Sequence, residues 1–397
     1  MKKRIAVVGA GTAGIISLFE VLPHVTNNWE VYCVYDPNKP ILGIGESTNP
    51  NFTMSIQEAT RFTLDDMNEL DGTIKFGTQY KRWRKNDFVN PLFGVGYAIH
   101  FNNFKLKDFA FKRFYKYWSK KFKEMHGTVT DVIPGKTSAQ IVIDGRTEQF
   151  DYVIDCRGFP SDFSDYKMSD CSPVNHCIVY SVPPENQEPY TDHIAMNHGW
   201  MFGIPLQSRS TYGYLFNDTK ASREDVISEM GEYLGTQLVP ENTVEYQFRS
   251  YYAKRVYSGR VLKNGNRALF LEPLSATSIF MYIQTVKSFT DHLALPGTFS
   301  EHGINEAFDA NVESLEDMLS FFYHGGSELD TEFWRHAKAL GQRRLKNSEV
   351  LKYVKEEFKK YDEMGLTHKG PKWFFTPVTL RIVDEKMGYN YFTTPSN

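Results

Sequence analysis

The residues best placed to do chemistry open the chain. Gly9, Gly11 and Gly14 form a GxGxxG spacing straight after the apolar run 5–8 and straight before an apolar helical pattern. Glycines so spaced permit a tight turn, close approach of backbone to a pyrophosphate, and close packing of helix on strand. Gly9, Gly11, Thr12, Ala13 and Gly14 are therefore the expected phosphate-side contacts of a dinucleotide. A second strand-like run, 30–35, ends at Asp36. That is about 20 residues past the loop, where a carboxylate can accept from a ribose hydroxyl. A lone GxGxxG marks only a Gly-rich turn, but strand, helix and acid together point to a dinucleotide site. Nicotinamide or flavin is left open by these residues.

Other candidates follow in order. Gly43, Gly45, Pro40 and Pro50 make an irregular loop in which Glu46, Ser47 and Thr48 place a carboxylate and two hydroxyls. Residues 73–83 read as one strand whose alternation sets Lys75, Gln79 and Lys81 on a polar side, with Ile74, Phe76 and Tyr80 opposite. On that reading Lys75 is a solvated lysine. Residues 152–156 read as a buried strand running into Arg157 and Gly158, and ligands lie at the carboxyl ends of strands in such sheets. Trp200 and Phe202, in a run closed by Ile204 and Pro205, share a face of a strand, where they wall a flat ligand or fill a core. Finally, Glu272 and Pro273 lead through Ser275, Ala276, Thr277, Ser278 and Ile279 into a long apolar helix, whose first N–H groups can receive an anion.

These groups need an α/β framework to hold them. Helices are expected over about 51–70, from about Leu106, after Thr219–Ser222, from about 277, and through the tail to about Met364. Strands are expected over 129–156, and a second, largely antiparallel sheet over 176–182, 211–216 and 243–252. The helix from Leu106 interleaves Lys107, Lys112, Arg113 and Lys116 with aromatics, and reads as an amphipathic helix laid on a sheet with its lysines in water. A net charge of −3 over 397 residues gives no electrostatic case for nucleic acid. Cys33, Cys156, Cys171 and Cys177 have neither metal-ligand spacing nor a disulfide pattern, so no metal is expected. A strand beginning by residue 5 leaves no room for a signal peptide, and no apolar run reaches membrane-spanning length, which gives a cytoplasmic expectation.

Taken in order, the short blocks carry a family resemblance. GAGTAG, GIGESTNP, KFGTQYKRWRK, YAIHFNNF, GWMFGIP, FLEPLSATSI and FFYHGGSELDTEFW resemble the motifs of the flavin-dependent tryptophan halogenases, from residue 1 to about 335. The resemblance implies the architecture of the aromatic monooxygenases: an α/β fold with a Rossmann-like FAD-binding part, an embedded antiparallel sheet and a helical C-terminal part. It also implies a division into 1–170 (FAD-binding, with the Lys75 strand and the basic helix), 171–261 (substrate-side sheet), 262–300 (returning FAD and halide segment) and 301–397 (helical). The cofactor it implies is FAD, used reduced and delivered by a separate flavin reductase. Gly9, Gly11, Thr12, Ala13, Gly14, Gly45, Glu46, Ser47, Pro273, Ser278 and Ile279 fall in its flavin-side motifs, and Asp36, Arg157 and Gly158 join them as FAD-binding candidates from their strand ends. Thr277 and Ser278 match its halide-binding helix start, Lys75 its essential lysine, and Trp200, Phe202, Ile204 and Pro205 the wall between flavin and substrate chambers.

The implied activity is oxidation of chloride, bromide or iodide to hypohalous acid, which Lys75 guides to a small electron-rich aromatic substrate. The chain departs from the family in three places. Ser275 stands where the family has a glutamate beside the lysine, so that catalytic position carries no carboxylate. Phe202 replaces the second tryptophan of WxWxIP, and the stretch between 83–85 and YAIHF, which covers substrate in the family, is short. These departures favour an activated ring and bromide or iodide. They also keep two alternatives in view, a flavin monooxygenase or oxidase and a catalytically impaired FAD-binding homologue. Nucleic-acid and membrane partners are not expected; a homodimer is expected on symmetry grounds alone.

Overall fold

A computed structural model describes residues 2–41, 46–92, 96–184, 188–239, 242–294, 300–364 and 377–392. Gly43 and Gly45 lie outside them. The chain divides into two units, one of residues 1–74, 97–168 and 251–310, the other of residues 75–96, 169–250 and 311–397.

In the first unit the opening apolar run is a strand, Lys3–Val8, near the middle of a six-stranded sheet. The spatial order is Tyr257–Ser258, Val261–Lys263, Tyr152–Asp155, Lys3–Val8, Trp29–Tyr35, Phe122–His126. The pairings are parallel except for the first, so the central strands read as unbroken apolar runs buried on both faces. Ala6, Val8, Val34 and Val153 pack on one side with Ile141, Ile143 and Phe150 of a three-stranded antiparallel sheet. The helix Thr12–His24 buries Ile15, Ile16, Leu18, Phe19, Val21 and Leu22. Phe19 meets Phe52 and Phe114 edge-on at 6.1 and 5.8 Å, which ties in the helices Pro50–Thr60 and Asn103–Tyr117.

The second unit is built on a seven-stranded sheet in the order Val244–Gln247, His176–Val182, Ser210–Phe216, Gly199–Pro205, Tyr190–Met196, Gly77–Lys81, Phe88–Pro91. All its pairings are antiparallel except Gly77–Lys81 with Tyr190–Met196. Ile178, Ile194, Met196, Met201, Tyr214 and Phe216 form an apolar face covered by Val226 and Met230 of the helix Arg223–Leu234. Ser222 caps that helix by accepting from the Asp225 N–H, as its entry signals predicted. The tail is helical over Glu332–Leu345 and Glu349–Met364, and a further helix, Pro377–Met387, had no clear signal in the sequence. Among the described residues no helix is long and apolar enough to cross a membrane.

Three expected elements are broken in the structure, each for a local reason. The helix expected over 51–70 stops at Thr60, where Arg61 takes a left-handed φ of 56°, and resumes as a 3-10 turn, Leu64–Leu70. The strand expected over 243–252 is two strands, Val244–Gln247 and Tyr251–Ala253, which pair in different sheets. The strand expected over 73–83 is also two, Thr73–Lys75 and Gly77–Lys81. At the break the Phe76 N–H donates to the Pro189 carbonyl and its own carbonyl accepts from the Leu92 N–H, both at 2.8 Å. A Cβ on Gly77 would stand 2.6 Å from the Asn90 carbonyl oxygen, so only glycine lets the neighbouring strand close on this point. The break inverts the expected faces: Lys75 is 3 % exposed and Phe76 48 %.

Backbone approach is equally tight within the second sheet. A Cβ on Gly199 would collide with the carbonyl of Leu215 on the adjacent strand. Gly199→Ala is therefore expected to destabilise the protein by about 1–3 kcal/mol. The measurement is urea denaturation, with a lower midpoint and an unchanged m-value; an unchanged midpoint would show that the strands separate at no cost.

Candidate active site

The first unit holds a cavity of about 280 Å³ at the carboxyl ends of its parallel strands. That exceeds by far the ~30 Å³ share of one water. Gly9, Gly11, Thr12 and Ala13 line it from the first turn, Asp36 from the end of the second strand, and Arg157 and Gly158 from the end of Tyr152–Asp155. Glu46, Ser278 and Ile279 complete the expected set found there. Gly14, Ser47 and Pro273 are not among the lining residues. Gly14 instead lies under the turn, where a Cβ would collide with the Gly9 carbonyl.

The loop fits a dinucleotide. Gly9 adopts φ +113°, and a Cβ there would stand 2.7 Å from the Cys156 carbonyl oxygen. A Cβ on Gly11 would meet only Ile41, at 4.0 Å, which leaves the backbone open on the cavity side. The helix beginning at Thr12 has Gly11 at its N-cap, no side-chain cap and no acidic residue in its first turn. Its first N–H groups are thus offered to an anion at the positive end of the helix dipole.

Asp36 is held ready as a carboxylate. Its Oδ2 accepts from the Thr128 hydroxyl at 2.7 Å and its Oδ1 from the Asn38 N–H at 2.9 Å, and these bonds lower its pKa. Glu46 is the opposite case. Burial pushes its carboxyl up to about 7, with a hydrogen bond from the Thr12 hydroxyl at 3.4 Å pulling back weakly. Near neutral pH it can therefore donate as well as accept. Arg157 is committed to Asp155 through Nε and Nη2, both at 2.9 Å, and to the Thr130 carbonyl. It faces the cavity as a fixed part of the wall.

Sequence reasoning missed several lining residues. Lys39 and Lys107 bring two cations to the cavity, and Lys107 comes from the helix whose lysines were expected in water. Tyr282 lines it too, donating to Asn266 Oδ1 at 2.7 Å. Its place one helical turn after Ser278 was the available signal.

The segment before the Thr277–Ala294 helix is wound unusually. Ser275 and Ala276 take φ of 60° and 57°, two successive non-glycine residues in left-handed backbone. Each such residue costs about 1–3 kcal/mol, and such strain concentrates at functional sites. Thr277 is 2 % exposed, and its hydroxyl donates to the Glu272 carbonyl at 3.2 Å. What the helix start offers an anion is therefore its backbone N–H groups rather than that hydroxyl.

The second unit holds the other expected residues. Lys75 is buried, and loss of water lowers its pKa to about 7. Trp200 is fully buried and Phe202 nearly so, their rings edge-to-face at 6.5 Å on one side of Gly199–Pro205, with Ile204 and Pro205 in the same strand. Beside them is His193, which sequence reasoning did not single out. It is 2 % exposed, with its ring 5.0 Å from that of Trp200 and 5.2 Å from that of Tyr80. Among the described residues no group of His, Cys, Asp and Glu side chains could hold a metal, and none of the four cysteines is in a disulfide.

Comparison with known proteins gives this arrangement a family. The model of the family described as tryptophan halogenase matches residues 4–141 and 95–386. The tryptophan 6-halogenase ThaL of Streptomyces albogriseolus is 22 % identical over 480 residues, covering 98 % of this chain and 85 % of that one. The tryptophan 7-halogenase RebH of Lentzea aerocolonigenes is 23 % identical over 424 residues, covering 85 % and 79 %. Among solved structures, the tryptophan halogenase from Shewanella frigidimarina superposes with a TM-score of 0.81 at 15 % identity, over 97 % of this chain and 89 % of that one. The flavin-dependent halogenase Xcc4156 from Xanthomonas campestris gives 0.76 at 15 % identity, over 98 % and 96 %. These likenesses show the expected fold. The chain is a divergent member of the tryptophan halogenase family, an FAD-dependent oxidoreductase whose family-level function is halogenation of an aromatic substrate.

Proposed function

We propose that the protein oxidises a halide to hypohalous acid with oxygen and reduced FAD from a separate reductase, and that Lys75 directs this oxidant to an electron-rich indole- or phenol-like ring. The observation that most supports this reading is the buried lysine with a pKa lowered to about 7. An ammonium donates to a neutral oxidant, and an amine accepts from it; near pH 7 this side chain supplies both forms. A solvated lysine would supply only the first. Enclosure also limits loss of the oxidant to water.

FAD, when bound, supplies the electrons for oxygen activation. Gly9, Gly11, Thr12 and Ala13 would hold its phosphates, with Gly14 keeping the turn beneath them closed, and Asp36 would hold its ribose. Glu46, Arg157, Gly158, Ser278 and Ile279 would hold the remainder. The N–H groups at Thr277 and Ser278 would bind the halide, and Trp200, Phe202, Ile204 and Pro205 would keep the ring apart from the flavin. Ser275 offers no carboxylate to take charge from the ring under attack. That favours a ring already activated, and a halide more easily oxidised than chloride.

The test supplies reduced FAD, air and an indole and phenol panel, in separate chloride, bromide and iodide solutions. Mass spectrometry is expected to show a halogenated product that requires the halide. Lys75→Ala lowers its rate by at least ~100-fold, with FAD binding retained. Oxygenated product, or peroxide alone in every salt, would overturn the reading in favour of a monooxygenase or oxidase.

The pH profile gives a second check. The ammonium is present below the lowered pKa and is lost as pH rises through about 7. Halogenation that uses it as donor therefore declines above that pH, whereas a lysine with an ordinary pKa would give a flat profile to about 10. For the cofactor, Gly14→Val is expected to weaken FAD binding by at least ~10-fold, since closing the turn forfeits about 1.4 kcal/mol or more. Fluorescence titration reads this directly, and unchanged affinity would remove the loop from the site.

A further inference from the structure

The strands Trp29–Tyr35 and Phe122–His126 run parallel and end side by side, with Tyr35 opposite His126. Just past that end the Gly127 N–H donates to the Tyr35 carbonyl at 3.0 Å, which brings Thr128 beside Asp36. The Thr128 hydroxyl donates to Asp36 Oδ2 at 2.7 Å, and the Asn38 N–H donates to Oδ1 at 2.9 Å. Of the influences that lower the Asp36 pKa, the Thr128 bond is the largest. Asp36, Gly127, Thr128 and Val129 all line the cavity of the first unit.

Thr128 is itself held in place. Its N–H donates to Asp144 Oδ1 at 2.9 Å, and its carbonyl accepts from the Asp144 N–H at 3.2 Å. Asp144 and Gly145 make the turn between Ala139–Ile143 and Arg146–Phe150, with φ of 47° and 74°. Two positive φ values are what a tight two-residue hairpin requires. A Cβ on Gly127 would collide with the Asp144 carboxylate, so only glycine admits this approach. We infer that Thr128 is a positioning residue for Asp36, holding its carboxylate where it accepts from the hydroxyls of an adenosine ribose and so selecting a ligand with an intact ribose diol. This role rests on the reading that Asp36 holds the ribose of the cofactor.

The physics favours such a clamp. An ionised carboxylate only accepts, with about four lone-pair sites over its two oxygens. One protein donor on each oxygen therefore leaves acceptor capacity for a diol. Asp36 is partly exposed at the open end of its strand, where an unheld side chain samples several rotamers and must be ordered as a ligand arrives. A bond made beforehand removes that cost, and one to an ionised acceptor is stronger than one between neutral groups. Lys39 and Lys107 also line the cavity, but ammonium groups have no acceptor to offer a hydroxyl. A ligand without the ribose hydroxyls asks nothing of the Asp36 carboxylate, so Thr128 does not matter to it.

The experiment is competition against FAD, followed by flavin fluorescence, with ADP and 2′,3′-dideoxy-ADP as probes that differ only in the ribose hydroxyls. Wild-type protein is expected to bind ADP at least ~10-fold more tightly than the dideoxy analogue. Thr128→Val keeps the branched shape and removes the hydroxyl. It is expected to weaken FAD and ADP by at least ~5-fold and to leave the analogue unchanged, with Thr128→Ser restoring both losses. Equal weakening of the two probes would show a structural effect alone and overturn the role, as would an unmoved ADP affinity or no rescue by serine. If wild-type protein does not distinguish ADP from the analogue, the ribose reading of Asp36 fails, and the role of Thr128 with it. If it does distinguish them and Thr128→Val keeps the full preference, Asp36 holds the ribose unaided and only the role of Thr128 falls.

Discussion

Taking a primary amine out of water is the constraint around which the second unit is arranged. Lys75 and His193 are both basic and both buried to within a few per cent. Desolvation removes the preference of each for its charged form. A surface lysine adds charge and little else, but one held near its titration point at neutral pH can donate, accept or give up a proton. The break at Phe76 makes this possible: the chain leaves one strand pairing and enters another there, and Lys75 is carried to the interior as Phe76 is turned outward.

The first unit solves a different problem, holding a charged ligand with backbone. A side chain on Gly14 would strike the Gly9 carbonyl and one on Gly9 the Cys156 carbonyl, and this close packing sets the helix Thr12–His24 with its open N-terminus against the cavity. Two carboxylates there are tuned in opposite directions. Asp36 is stabilised as an anion by hydrogen bonds at the open end of its strand, while burial drives Glu46 toward its neutral form near pH 7. A ribose hydroxyl asks for the first behaviour, and a ligand with both donors and acceptors is served by the second. Arg157 shows why position alone is a weak guide to role, since its guanidinium is already spent on Asp155.

The backbone ahead of the Thr277–Ala294 helix carries a constraint of its own. Ser275, where the family resemblance leads one to expect a carboxylate, and Ala276 take a strained left-handed backbone ahead of Thr277. Backbone strain of this kind persists only where the surrounding fold enforces it.

The sequence by itself determined the parts that depend on local chemistry. Glycine spacing, unbroken apolar runs and a strand-ending acid are dictated by sterics and burial over a few residues, so the Lys3–Val8 strand, the Thr12–His24 helix, Asp36 and the Arg157–Gly158 strand end were legible before any coordinates. The family motifs also pointed to Lys75, Trp200 and the helix at Thr277. Tertiary structure decided everything that depends on what lies across from a residue. Alternation put Lys75 in solvent because it assumed one continuous strand, and the break forced by Gly77 against the neighbouring chain was invisible to it. Lys107 read as one of many surface lysines until the helix was laid beside the cavity. His193 had no motif at all; only the register sets it opposite Tyr80 and Phe202, beside Trp200. A pKa is a property of surroundings, and those surroundings come from strands that are far apart in the chain.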